Sequence, residues 1–219
     1  MGMVVTIDGP AASGKSTVSR ELASRLGWQW VSTGAFYRGL GYAALHSHID
    51  ITDVKALTAL AQSPVWSVKM GAARTQVFFK NHEVTDDIFS EDVGNIASQI
   101  SHYPEVRKAL LQAQRNLSAG PQGLVAEGRD CGTVVFPQAE AKIYLTASSE
   151  HRAARRAAEL GLDQQETQAA QKVRDQQDST RKAAPLQVPE NALVVDTTDM
   201  ALDEVIHKVE SFVRSKLPN

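Results

Sequence analysis

The segment with the clearest chemistry is residues 9–16 of the 219-residue chain, Gly-Pro-Ala-Ala-Ser-Gly-Lys-Ser. This is the pattern G-x-x-x-x-G-K-S of a phosphate-binding loop. Its glycines let the backbone curve closely around an anion, so that amide groups can point at a phosphate. Lys15 would supply a mobile positive charge for the β- and γ-phosphates, and the Ser16 hydroxyl could be a ligand of Mg²⁺. The pattern predicts a site for a nucleoside triphosphate.

Both flanks of this loop support that interpretation. Residues 3–7 are short, apolar and β-branched, which predicts a buried strand. Apolar residues four apart in the segment 16–26 predict an amphipathic helix, which Gly27 would end. A strand, a glycine-rich loop and a helix in this order are the context that the motif requires. We expect the nucleotide to contact Gly9, Pro10, Ala11, Ala12, Ser13, Gly14, Lys15, Ser16 and Thr17.

The composition is that of an ordinary globular protein, with 42% hydrophobic and 22% charged residues. A net charge of -2 offers no electrostatic argument for binding nucleic acid or a membrane. Cys131 is the only cysteine, so an intrachain disulfide is excluded, and we expect it only to pack in the core. No apolar run reaches membrane-spanning length and there is no signal peptide. We therefore expect a cytoplasmic protein, and a monomer.

Strand and helix patterns alternate along most of the chain. Further strands are predicted at residues 28–31, 124–126, 142–145 and 193–195, and helices at 35–45, 91–100, 104–117, 149–160 and 202–213. This alternation around a phosphate loop predicts an α/β fold of the P-loop NTPase type. Its parallel sheet would be flanked by helices, with ligands at the carboxyl ends of the strands.

Several local features are predicted from single residues. Thr52 could cap a short helix, and Ser90 could cap another. In the helix that Pro104 opens, Ala113 is expected on the core side, and Leu202 is expected on the apolar face of the last helix. The arm 163–178 has little apolar stripe, which indicates a solvated or moving helix without an anchor on the core.

Two segments interrupt the alternation. Residues 65–84 predict a small antiparallel meander outside the main sheet, with turns at residues 71–73 and 81–82. It belongs to an insertion at about 35–120, and the polar arm belongs to a second insertion at about 146–187. The remaining segments 1–34, 121–145 and 188–219 would form the core P-loop domain.

Arginines are placed as phosphoryl transfer requires, since this reaction depends mainly on positioning and positive charge. A planar guanidinium can bind two phosphate oxygens at once, although a single surface arginine more commonly forms a solvated ion pair. Arginines follow segments that are predicted to end near the binding edge of the sheet, at Arg38, Arg107 and Arg129. Others lie in the second insertion, at Arg152, Arg155, Arg156, Arg174 and Arg181. Glu127 ends an apolar strand. It could hold Mg²⁺ through a water molecule, or it could simply be a polar residue at a strand end.

The chain resembles the bacterial cytidylate kinases, a family of nucleoside monophosphate kinases, from end to end. The matching stretches are residues 6–10, 33–38, 97–99, 106–107, 127–137, 147–150 and 174–186. The run from Glu-Gly-Arg-Asp to Phe-Pro within 127–137 is the most specific of them. The resemblance implies phosphoryl transfer from ATP to CMP, and also dCMP, with Mg²⁺. It also implies that the first insertion binds the monophosphate and that the arm is a lid.

The resemblance further implies a role for each site residue. The monophosphate would be held by Thr33, Arg38 and Arg129. The cytosine edge would be recognised by Ser98, Arg107 and Asp130. The ribose would be held by Arg174 and Asp178. The lid residue Arg181 would close on the phosphates, and ATP would be contacted by Arg152 and Arg156. The catalytic groups would be Lys15, Arg129, Arg156 and Arg181.

This chain departs from the family pattern at a few positions. Thr33 stands where serine is frequent, and Cys131 where isoleucine or methionine is common. Gln176, Gln177 and Ser179 replace lid residues that are often charged. Whether the lid of this chain closes as in the family is therefore not decided by the sequence. The alternatives are another small-molecule P-loop kinase, for UMP or shikimate, and a P-loop GTP switch. The switch is disfavoured because Asn-Lys-x-Asp and Asp-x-x-Gly are missing, and a nucleic-acid-binding ATPase is disfavoured by the charge.

Overall fold

A computed structural model describes residues 2–70 and 74–218 of the chain. The strands are β1 (Met3–Asp8), β2 (Gln29–Ser32), β3 (Trp66–Met70), β4 (Thr75–Phe79), β5 (His82–Glu83), β6 (Gly123–Gly128), β7 (Ala141–Thr146) and β8 (Leu193–Asp196). The helices are α1 (Lys15–Leu26), α2 (Gly34–His46), α3 (Val54–Ala61), α4 (Glu91–Ile100), α5 (Pro104–Asn116), α6 (Ser149–Leu160), α7 (Gln164–Thr180) and α8 (Leu202–Lys216).

The central sheet is parallel, with the strand order β2-β6-β1-β7-β8. Both faces are covered because side chains alternate along each strand. Val5 and Val125 pack with α1 and α8 on one face, whereas Val4 and Leu124 pack with α2, α3 and α5 on the other. The predicted α/β fold of the P-loop type, with a parallel sheet between helices, is confirmed.

The parallel register brings the chemically important chain segments to one edge. Asp8, the last residue of β1, lies beside Gly128 of β6 and Tyr144 of β7. Ser32, the last residue of β2, lies beside Glu127. The phosphate loop, the start of α2 and the segment after β6 therefore meet at the carboxyl ends of neighbouring strands, where ligands bind in open α/β sheets.

The predicted meander is present as a separate antiparallel sheet with the order β3-β4-β5. Trp66 and Val77 of this small sheet pack in the same apolar cluster as Val4 and Leu124 of the central sheet. The small sheet is thus fixed to the main core, and the proposed domain boundaries stay a prediction. The first predicted turn, at residues 71–73, lies outside the described residues.

Two local predictions were wrong. The second meander turn is at residues 80–81, which both have positive φ angles, so His82 already belongs to β5. The cap of α3 is Asp53, whose carboxylate accepts a hydrogen bond from Ala56 N at 2.9 Å, because Thr52 is itself bonded to Asp50. Other caps were predicted correctly: Ser90 accepts from Val93 N, and left-handed glycines end α1 and α6.

Two predicted core positions are on the surface. Ala113 is exposed, and Gln114 is buried in its place because the buried positions of α5 follow Leu110 by one turn. The helix can bury this amide since Gln114 Nε2 donates to the Thr33 carbonyl oxygen at 3.5 Å. Leu202 begins α8 and is 49% exposed.

The polar helix α7 packs on α6, which belongs to the same predicted insertion, so it is less solvated than its composition predicts. Thr167 and Gln171 are buried where α7 packs on α6, and Gln171 Nε2 donates to the Arg152 carbonyl oxygen at 3.3 Å. The contact is made by polar side chains, which a search for an apolar stripe does not detect. Helix α7 ends at Thr180, and Arg181 lies directly after it. Within the described residues, no helix is both long and apolar enough to cross a membrane.

Candidate active site

The phosphate loop joins β1 to α1 by a backbone path that needs glycine. Gly9 has a φ of 151°, and a Cβ there would lie 2.0 Å from the carbonyl oxygen of Leu145 in β7. Lys15 bends back over the loop, with its Nζ donating to the Pro10 carbonyl oxygen at 2.5 Å and to Ser13 Oγ at 3.4 Å. The loop thus holds its lysine at the centre of the nucleotide site.

The surroundings of Lys15 destabilise the charged form of its side chain. Burial, and then the nearby Arg129 guanidinium, lower the pKa of Lys15 to about 7, although Glu127, Asp8 and Asp178 partly oppose this. A negatively charged ligand would reverse the effect, since an opposite charge nearby favours the ammonium form. Binding of an anion beside Lys15 is therefore expected to restore the charged form of the lysine.

Ser16 and Glu127 form an oxygen pair beside the loop. Ser16 Oγ donates to Glu127 Oε1 at 2.9 Å, and Glu127 is only 3% exposed. Two hard oxygen ligands suit Mg²⁺, which usually takes one or two protein oxygens and completes its shell with phosphates and water. Among residues 2–70 and 74–218 there is no group of three histidine, cysteine or acidic side chains that would hold a metal alone.

A cavity of about 1050 Å³ extends from the loop across the sheet edge to α4 and α7. It brings together most of the predicted site residues: Ala11, Ala12, Gly14, Lys15, Ser16, Thr17, Thr33, Arg38, Ser98, Arg129, Asp130, Arg156, Arg174, Asp178 and Arg181. The predicted residues that do not line it are Gly9, Pro10, Ser13, Arg107 and Arg152. Tyr37 also lines the cavity and was missed, since an aromatic residue beside Arg38 carries no signal of its own.

Four of the arginines that line this cavity, Arg38, Arg129, Arg156 and Arg174, lie close enough to one another to interact. Burial, and then the charges of Arg156, Arg174 and Arg129, lower the pKa of Arg38 to about 10. Arg38 is held in place by donating to the Ile88 carbonyl oxygen at 2.8 Å. Repulsion among fixed like charges is relieved when an anion binds between them, so this cluster is suited to a phosphate.

Arg129 has an acidic partner in this cluster. Its Nε donates to Asp178 Oδ2 at 2.8 Å. Burial, the largest single effect, would lower the pKa of Arg129, but the carboxylates of Asp178, Glu127 and Asp175 together outweigh it and raise the pKa. Thr33, in contrast, is not arranged as a phosphate donor here, since its hydroxyl donates to the Glu127 carbonyl oxygen at 2.9 Å.

A buried ion pair forms the wall at the α4 end of the cavity. Arg107 Nη2 donates to Asp130 Oδ2, and Arg107 Nη1 donates to the Ser101 carbonyl oxygen at 3.2 Å. The guanidinium also lies over the ring of Tyr37, 5.3 Å from its centre. Since Asp130 lines the cavity and Arg107 does not, Arg107 is placed to orient the carboxylate from behind.

Arg181 is placed near this ion pair and not among the four arginines. Its Nη1 donates to Ser101 Oγ at 3.4 Å, and it lies 3.8 Å from Asp178 Oδ1. Burial is the main cause that lowers the pKa of Arg181, with a further lowering by Arg107 and opposition from Asp178 and Asp130. The predicted contact with the phosphates would require Arg181 to leave this position.

Arg152 supports the phosphate loop from outside the cavity. Its three donor groups contact the Ala147 carbonyl oxygen at 3.1 Å, the Ala11 carbonyl oxygen at 3.2 Å and Asp175 Oδ2 at 2.6 Å. These contacts tie the loop to α7 through a side chain that is 6% exposed. A direct contact between Arg152 and ATP stays a prediction.

Asp8 was not recognised from the sequence, although it connects the two halves of the site. Its carboxylate accepts hydrogen bonds from Cys131 N at 2.8 Å and Gly132 N at 2.7 Å, at the start of a π-helical turn. Burial raises the pKa of Asp8 to about 6 against the lowering effect of these bonds. Cys131 itself is fully buried, and burial raises the pKa of its thiol, as expected for a residue that only packs.

The fold and the site define a P-loop phosphotransferase. A model of the cytidylate kinase family matches residues 5–215. The chain is 71% identical to a cytidylate kinase of Bdellovibrio bacteriovorus, over 99% of this chain and 100% of that one, and 43% identical to that of Aeromonas hydrophila, over 99% and 96%. The chain belongs to the cytidylate kinase family, whose members are transferases that phosphorylate CMP with ATP.

Solved structures of lower similarity agree on the fold. A Thermus thermophilus protein aligns with a TM-score of 0.51 at 19% identity, over 100% of this chain and 99% of that one. A gluconokinase from Sinorhizobium meliloti aligns with a TM-score of 0.52 at 14% identity, over 98% and 92%. The family match does not favour the alternatives of a UMP or shikimate kinase or of a nucleotide switch.

Proposed function

We propose that the protein transfers the γ-phosphoryl group of ATP to CMP, and also to dCMP, with Mg²⁺ assisting. The observation that supports this most is the single cavity that joins the phosphate loop, the four-arginine cluster and the wall formed by Asp130. In-line transfer needs two nucleotides bound end to end with their phosphates between positive charges. All three regions line the same cavity.

The donor would occupy the loop. Its triphosphate would displace Lys15 from the Pro10 carbonyl oxygen and restore the lysine charge. Ser16 Oγ and Glu127 would hold Mg²⁺, directly or through water. The ion, when bound, neutralises charge on the phosphate oxygens. Arg152 would keep the loop in shape from behind through Ala11.

The acceptor would occupy the remainder of the cavity. Its phosphate would be held by Arg38 and Arg129 of the four-arginine cluster, Arg156 would contact ATP, and the attacking oxygen of the phosphate would face Lys15. Arg129 lowers the pKa of both Lys15 and Arg38, so its charge reaches the donor and the acceptor regions. It is thus placed to stabilise charge that moves between them. Asp178 and Arg174 would hold the ribose.

The base would lie against Ser98 and Asp130, with Arg107 orienting the carboxylate and Arg181 closing the pocket. An acceptor oxygen facing the exocyclic amine of cytosine distinguishes it from uracil, which has a carbonyl there. A site left with an unpaired polar group discriminates strongly. A monomeric state, a cytosolic location and the lack of a nucleic-acid partner remain predictions.

A coupled assay with ATP and CMP, dCMP, UMP, AMP or GMP tests the proposal. We expect the highest kcat/KM for CMP and dCMP. Arg38→Met should raise the KM for CMP about tenfold or more and leave that for ATP unchanged, since a charge-assisted hydrogen bond is lost. The matched control is Arg25→Met, because Arg25 pairs with Glu21 and Glu210 at the surface. A preference for UMP or AMP would refute the assignment.

A further inference from the structure

Helix α7 contacts α4, the helix that carries the proposed base-recognising serine, at two places in register. Arg174 Nη2 donates to Asn95 Oδ1 at 2.8 Å, and Ser98 Oγ donates to Gln177 Oε1 at 3.0 Å. The contacting residues are three apart on both helices, so one face of α7 lies along one face of α4. The second contact uses a residue at which this chain departs from the family pattern.

Ser98 and Gln177 differ in their access to the cavity. Ser98 lines it, whereas Gln177 does not, although its neighbours Arg174 and Asp178 do. In this position Gln177 lies behind Ser98 and does not form part of the cavity wall. Any influence on the substrate has to pass through the hydroxyl of Ser98.

A serine hydroxyl has one proton to donate and lone pairs that accept. In this structure the proton of Ser98 is directed to the amide oxygen of Gln177. What remains for a ligand in the cavity is an acceptor. An acceptor is complementary to the exocyclic amine of cytosine and leaves the corresponding carbonyl of uracil facing lone pairs.

We propose that Gln177 is a specificity-determining positioning residue, which fixes the Ser98 hydroxyl as an acceptor and so favours cytosine over uracil. The proposal rests on the proposed function, because it assumes that Ser98 faces the base. Without Gln177 the hydroxyl can rotate and donate to a carbonyl. The expected consequence is a relaxed choice of base with little change in the handling of ATP.

The test compares kcat/KM for CMP and UMP in a small set of variants. Gln177→Leu should lower the CMP-to-UMP ratio about three- to tenfold, the range expected for one hydrogen bond. Gln177→Glu keeps an acceptor at the same position and should preserve the ratio. Gln176→Leu is the matched control, since Gln176 is the exposed neighbour on the same helix. The KM for ATP should stay unchanged in all three.

A double-mutant cycle with Ser98→Ala separates the possible outcomes. In the Ser98→Ala background, Gln177→Leu should have no further effect on the ratio. The proposal is wrong if Ser98→Ala lowers the CMP-to-UMP ratio and Gln177→Leu leaves it unchanged. It is also wrong if Gln177→Leu lowers kcat equally for CMP and UMP, because Gln177 then only packs the arm. If Gln177→Glu lowers the ratio as much as Gln177→Leu does, an acceptor at position 177 does not determine the specificity, and the proposal is wrong. A wild-type protein without preference for CMP would instead refute the proposed function.

Discussion

Arg129 Nε lies 2.8 Å from Asp178 Oδ2, which connects the segment after β6 in the core to the polar helix α7. The pair is partly shielded, with side-chain exposures of 27% and 15%. It is one of several polar contacts between α7 and other elements, together with Arg152–Asp175 to α6 and Ser98–Gln177 to α4. The arm is therefore held by charge and hydrogen bonds, which ligands and salt can compete for.

We expect Asp178→Asn to loosen the arm in the free protein. Losing a charge-assisted hydrogen bond should speed amide hydrogen exchange in residues 164–180 about tenfold. Asp203→Asn, at the exposed start of α8, is the control. We also expect a bisubstrate analogue to protect residues 163–182 further in the wild type. Protection that is high in the free protein and unchanged by both the mutation and the analogue would indicate a rigid solvated helix, and not a lid.

Lys15→Ala should reduce kcat about a hundredfold or more. The lysine charge is most useful when negative charge develops on the bridging oxygen during transfer, and removal of one preorganised electrostatic group has an effect of this size. Steady-state kinetics with saturating ATP and CMP measure it, and thermal unfolding verifies that the variant folds. A folded variant with nearly wild-type kcat would contradict the role given to the loop.

Binding of ATP should take up protons at pH 8. With its pKa lowered to about 7, Lys15 is mostly neutral at this pH, roughly a tenth being protonated, and the triphosphate raises the pKa again. Calorimetric titrations in buffers of different ionisation enthalpy should show uptake approaching one proton per ATP, falling toward zero below pH 6. Lys15→Ala should abolish it. Equal heats in all buffers would contradict the lowered pKa.

The same shift affects stability in a defined direction. The folded state binds fewer protons at Lys15 than the unfolded state between about pH 7 and the ordinary lysine pKa of 10.5. The contribution of this residue to the free energy of unfolding should therefore rise with pH across that window. Comparing urea unfolding of the wild type and Lys15→Ala at pH 7 and pH 9 measures this contribution, which should be absent in the variant.

Asp130 should control CMP binding, but its buried partner complicates the choice of variant. Asp130→Ala leaves the Arg107 charge buried and unpaired, which costs about 3–5 kcal/mol of stability. Asp130→Asn keeps the shape and one acceptor oxygen, so it is the better test. It should raise the KM for CMP strongly and leave that for ATP nearly unchanged. An equal loss for both nucleotides would mean that Asp130 has a structural role only.

Local sequence was sufficient to predict the features that depend on residues only a few positions apart. The phosphate loop needs glycines at Gly9 and Gly14 and a lysine that follows at once, and its strand and helix show their own periodicity. Caps such as Ser90 act on amides three residues away. The prediction of Thr52 as a cap was wrong because the adjacent Asp53 can also serve. The Thr52 hydroxyl donates to Asp50, and Asp53 accepts from Ala56 N.

The tertiary structure decided which distant side chains meet. Arg107 lies behind the cavity and not in it, since the packing of α5 directs it toward Asp130, and Arg181 faces Ser101 because α7 ends one residue earlier. The anchoring of α7 depends on Gln171, whose type suggests only exposure. Such contacts join residues far apart in the chain, so their energies appear only after folding has closed the loops between them. The sequence by itself determined the chemistry that is available, and the fold determined the direction in which each group points.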